Sequence, residues 1–146
     1  MATAVHKLSL DDLRRAAKGT PALASYVARF EQMRDSLQER GEHYVLWAVA
    51  HGRFVDLIGT GKARSTSREK YLFVTNLPNA YASYEALVDN VLGPIMDKTG
   101  RLIDYEAWTL EEFRRIAKGG TSELLQSVLT RGVTLFGSPP YPGADQ

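Results

Sequence analysis

The chain has 146 residues, enough for one ordinary domain that buries about two-thirds of the surface its unfolded form exposes. Its 18 basic and 17 acidic side chains leave a formal charge of +1, so no overall field steers it toward nucleic acid or anionic lipid, and any such role must rest on a local patch. It has no cysteine, which excludes disulfides, thiolate nucleophiles and zinc–thiolate sites and fits a reducing compartment.

The opening "MATAVHKLSL" lacks the long apolar region of a secretory signal, so a soluble cytoplasmic protein is expected. Ser9 with Asp12 predicts an N-cap and an acidic first turn for a helix through "LDDLRRAAKG", which Gly19 can end. Thr20 and Pro21 restart a helix in which Leu23, Tyr26, Val27, Phe30, Met33 and Leu37 recur at three- and four-residue spacing. Charged residues, Arg29 among them, fill its other face, and it should stop near Gly41. "HYVLWAVAHG" has no usable period: Tyr, Val and Trp favour a strand, whereas Leu and Ala favour a helix, and the reading here is helix. Its apolar core "YVLWAVA" is far too short to cross a bilayer, and no membrane partner is expected.

After Gly52, "RFVDLI" reads as a strand, "GTGKARSTS" as a loop and "KYLFVTNL" as a second strand ending at Pro78 and Asn79; the two could pair directly. Tyr84, Leu87, Val88, Val91, Leu92 and Ile95 mark an amphipathic helix, with Pro94 kinking or shortening its last turn and Gly100 ending it. "RLIDYEAW" predicts a third strand with Leu102, Asp104 and Glu106 on one face. Thr109 and Glu112 form a capping box for "LEEFRRIAKGG". A last helix starts at Thr121 or Ser122, and "GVTLFG" could add a short edge strand. The expected architecture is a mixed α/β (α+β) domain over residues 1–137, with a small, partly antiparallel sheet flanked by helices. Helices in 1–41 precede the sheet, as core or as a cap for a partner, and a flexible tail spans 138–146.

Several constellations invite chemistry. His43 and His51 on one helix would lie about 12 Å apart, too far to share a metal, and His6 has no evident partner, so packing or solvent-facing histidines are the simpler reading. "GTGK" lacks the earlier glycine of a phosphate-binding P-loop, that position being Asp56, and a strand rather than a helix follows it. Gly59 and Gly61 likewise lack the third glycine of a dinucleotide fingerprint. Asp104 and Glu106 could present two carboxylates on one strand face, although alternation alone often generates such a pair on a solvated face. Lys62, Arg64, Arg68 and Lys70 stand among Ser65, Thr66 and Ser67. With the backbone amides around the glycines they could hold a phosphate; a solvated loop is the plain alternative.

The order of elements and several strings resemble the minimal nucleotidyltransferase domain of the DNA polymerase β superfamily. "DLIGT" resembles the strand that ends in Gly-Ser, with Thr60 preserving the hydroxyl, and "SREKYLFV" resembles the second strand that carries an Asp-x-Asp pair. "RLIDYEAWTLEEFRRIAKGG" is similar to the third strand and its helix, and "LLQSVLTRGVTLFG" to the closing helix and strand, so the resemblance spans roughly residues 42–137. It implies that Arg68 and Lys70 stand where two metal-binding aspartates belong and that Asp104 matches the third acid. Those acids would hold two Mg²⁺ ions in an active enzyme. Two cations there would repel a metal ion by at least about 1 kcal/mol even in water.

The expectation is therefore a non-catalytic nucleotidyltransferase-like domain without a metal cofactor, binding a nucleotide, a nucleic-acid phosphate or a protein partner. Its phosphate-binding set would be Gly59, Thr60, Lys62, Arg64, Ser67, Arg68 and Lys70. A second reading is an active, Mg²⁺-dependent enzyme with Asp104 catalytic and Asp56, Glu69 and Glu106 as substitute acids; a third is an interaction module without a ligand.

Overall fold

The computed structural model describes residues 8–52, 69–120 and 122–140. The short strand β1 (Leu8–Ser9) leads into α1 (Leu10–Gly19), where Ser9 and Asp12 cap each other's backbone N–H reciprocally, as the sequence pattern requires. A 3₁₀ turn at Pro21–Leu23 precedes α2 (Ala24–Arg40), whose stripe of Val27, Phe30, Met33 and Leu37 is buried.

Residues 45–51 form a strand, β2 (Val45–His51), and not the helix expected of "HYVLWAVAHG". The physical reason is position. β2 lies in the middle of the sheet with helices on both faces, so both sets of its side chains are buried and no alternation marks it; the strand preference of Val45, Trp47 and Val49 then decides.

Strand β3 (Lys70–Thr75) follows, then α3 (Ala80–Leu87), capped by the Asn79 side chain accepting from Ala82 N–H at 2.8 Å. Val88–Leu92 make a π turn that passes into α4 (Gly93–Thr99), so the helix is interrupted just ahead of Pro94. Strand β4 (Asp104–Thr109) runs directly into α5 (Leu110–Gly119) through the expected Thr109–Glu112 capping box. Helix α6 (Glu123–Arg131), capped by Ser122, and strand β5 (Val133–Gly137) complete the described chain.

The sheet order is β1-β5-β2-β3-β4. β2 pairs antiparallel with β3 and β5, while β3–β4 and β1–β5 are parallel. The fold class is thus the mixed α/β arrangement with a partly antiparallel sheet. β5 is not a free edge: β1 covers its outer side at Val133 and Thr134, a two-residue contact too short to leave a sequence pattern. The strand expected over 53–58 and the loop 59–67 lie outside the described residues, and the described partners of β3 are β2 and β4.

Alternation divides the sheet into two faces. Ala48, Ala50, Tyr71, Phe73 and Ala107 pack in one cluster with Leu13, Phe30, Met33 and Leu37 of α1 and α2, and with Leu87, Val91 and Leu92. The N-terminal helices are therefore part of the core and not a detachable cap. On the other face Trp47, Val49, Leu72, Val74 and Trp108 pack against Phe113 of α5 and Leu125 and Val128 of α6.

Candidate functional site

Among the described residues, helices cover the α5–α6 face along only part of its length. Its helices pack over Trp47, Val74 and Trp108, and toward the other end of the strands the surface opens onto polar side chains. There the register sets His51 opposite Lys70 and Lys70 opposite Asp104, forming one row across β2, β3 and β4. Paired residues on neighbouring strands point to the same face. Lys70, Leu72 and Val74 share this face by alternation, and Glu106 lies on it one step inward, opposite Leu72. Lys70, Asp104 and Glu106 are exposed, whereas His51 is buried.

Two of the residues singled out in the sequence, Lys70 and Asp104, are thus brought together. Gly59, Thr60, Lys62, Arg64, Ser67 and Arg68 lie outside the described residues, as do Asp56 and His6. His43 is exposed before β2, so the two-turn helical spacing considered for His43 and His51 does not exist. The polar face predicted for Asp104 and Glu106 is as expected, and the Glu106 carboxylate accepts a hydrogen bond from Trp108 Nε1 at 3.1 Å.

Lys70 makes no ion pair with any carboxylate among the described residues, which leaves its ammonium available at the open end of the sheet. Burial, and after it the neighbouring Lys70 charge, holds the His51 pKa below the usual histidine value; Glu106 and Asp104 oppose this shift. His51 is accordingly a neutral ring beside a fixed cation at neutral pH.

This has a consequence for stability. The unfolded chain protonates His51 more readily than the folded one, so the contribution of the neutral ring is present above the unfolded pKa of about 6.5 and is lost as the pH falls below it. Urea midpoints measured between pH 8 and pH 5 should fall for the parent on acidification, and His51→Gln should remove part of that slope. Identical pH profiles would show that His51 does not carry it.

Glu69 does not join this row. One residue before Lys70, it points to the opposite face, where it is 8% exposed and accepts from Arg29 of α2 through Nε at 2.5 Å and through a terminal nitrogen at 3.2 Å. An Arg101 terminal nitrogen lies 4.0 Å from its other oxygen, and the Arg29 guanidinium stacks 4.6 Å from the centre of the Tyr26 ring. A substitute acid for a metal beside Asp104 is therefore not available at Glu69. Sequence reasoning placed Arg29 on a solvated helix face and missed this ion pair. The one available signal was Glu69 itself, the lone acid in an otherwise basic stretch immediately before a strand.

Compared with family models, curated proteins and solved structures, the chain matches none. Among the described residues no group of three or more His, Asp or Glu side chains is placed to hold a metal ion, and no helix is long and apolar enough to cross a membrane.

Proposed function

We propose that this chain is a nucleotidyltransferase-like domain that binds phosphate without the two-metal site, taking a nucleotide or a nucleic-acid phosphate at the open end of its sheet in the cytoplasm. The observation that carries this reading is Lys70, an exposed cation without an ion-pair partner among the described residues, set in register between His51 and Asp104. An ammonium at that place supplies positive charge to a phosphate directly, where an enzyme of the resembled family would use a metal ion bridged by carboxylates. The neutral His51 ring adds a hydrogen-bonding edge without adding charge. In the sequence, Lys62, Arg64 and Arg68 lie close to Lys70 and would add to the same attraction.

Thermal shift with ATP, GTP and CTP, each with Mg²⁺ and with EDTA, tests the proposal. Stabilisation that survives EDTA is the expected result. Stabilisation only with Mg²⁺ would favour an active enzyme, and no response to any nucleotide would count against phosphate binding. Lys70→Ala removes one charge-assisted contact and should weaken the nucleotide bound in EDTA roughly tenfold, the equivalent of about 1.4 kcal/mol, as read by calorimetry. An unchanged affinity would place the phosphate elsewhere.

A further inference from the structure

On the sheet face opposite Lys70, a cleft of about 350 Å³ opens between α2, α4 and the start of β4. We propose that it binds a small amphipathic monoanion, an apolar body carrying a single carboxylate that Arg101 receives. The volume falls at the lower end of the range of small-molecule sites, about 300–1,000 Å³. Its floor is apolar, formed by Met33, Tyr71 and Ile95, and at its mouth Leu102 is 87% exposed. A leucine so exposed beside an apolar floor gives an apolar ligand a surface to cover.

The charges select the ligand's head group. Arg29 satisfies both oxygens of Glu69, at 2.5 and 3.2 Å, while Arg101 sits 4.0 Å away and is half exposed, so among the described residues its planar fork of donors is largely unspent. Two guanidinium groups around one carboxylate leave an excess of one positive charge at the rim. A ligand carboxylate can take that fork in a bidentate pair, whereas an amide of the same shape offers no charge to it. Asp104 borders the cleft as well, but strand register sets its side chain on the Lys70 face, so the rim offers one uncompensated guanidinium, a match for a single anionic group. Inside, burial and then the Glu69 charge hold the Tyr71 phenol protonated, and its hydroxyl makes no hydrogen bond to a described residue. It remains a donor for the ligand's second oxygen.

The test uses the full chain with a panel of carboxylates, benzoate, indole-3-acetate and octanoate, each beside its own amide, followed by amide-resolved NMR and calorimetry. At least one acid should bind at least tenfold more tightly than its amide and shift the resonances of Tyr71, Ile95 and Leu102. Arg101→Gln, at an exposed position, should abolish that preference while leaving the weak amide binding unchanged. Ile95→Trp, which fills the floor, should block acid and amide alike. Lys70→Ala should change none of these values, which keeps the result separate from the phosphate reading. The proposal is overturned if every acid leaves those resonances in place at millimolar concentration, if the amides bind as tightly, or if Arg101→Gln retains the preference.

Discussion

Gly137→Ala is expected to destabilise the fold by at least about 3 kcal/mol, the largest effect of a single added methyl group among the described glycines. Gly137 ends β5 with φ at +67°, and an added Cβ would lie 1.9 Å from the Leu46 carbonyl oxygen and 2.9 Å from its carbon. Both neighbours are backbone of β2, the central strand, so neither can rotate away. Gly120 provides the control. It has almost the same φ, +68°, as the left-handed cap of α5, but an added Cβ there would meet nothing within 4 Å. Gly120→Ala should therefore cost only the conformational part, about 1 kcal/mol. Urea unfolding followed through the fluorescence of the buried Trp47 and Trp108 reads both variants under the same conditions. Equal losses would mean that the backbone angle alone, and not the approach of β2, makes glycine necessary at 137.

Arg29→Met should lower stability by about 3 kcal/mol, because it strands a buried carboxylate with only the loosely placed Arg101 for a partner. The loss is expected to come from the unpaired Glu69 charge and not from the missing attraction itself. The double variant Arg29→Met with Glu69→Leu should consequently recover most of it, since an apolar pair of similar volume avoids the desolvation of both ions. Failure to recover would instead assign the effect to packing of the arginine stem and its stacking on Tyr26. The same pair of variants also reports on the cleft, whose inner wall this ion pair forms.

The elements that were legible in the sequence are those with a periodic face or a capping signature. The stripe from Val27 to Leu37, the Ser9–Asp12 and Thr109–Glu112 boxes, and the alternation of Asp104 and Glu106 all state a local rule that the tertiary structure obeys. β2 was not legible, because a strand buried on both faces carries no period. The π turn was hidden for a related reason: it inserts a residue into an otherwise helical stripe, and the Pro94 signal marks only its far side. At the candidate site, Lys70 and Asp104 could be named from the sequence, but their adjacency depends on a parallel pairing of strands separated by two helical segments. The Arg29–Glu69 pair joins residues forty positions apart, and no local pattern encodes it.

The segregation of the two core clusters has an electrostatic consequence. Glu69 and Lys70 are consecutive, so a slip of β3 by one residue would exchange them and set a carboxylate, not an ammonium, beside Asp104. The same slip would force Tyr71 and Phe73 out from under α2 and turn Leu72 and Val74 away from Trp47 and Phe113. The position of the ammonium in the exposed row is thus held by aromatic and aliphatic packing deeper along the strand, and no bond made by Lys70 itself is required to keep it there.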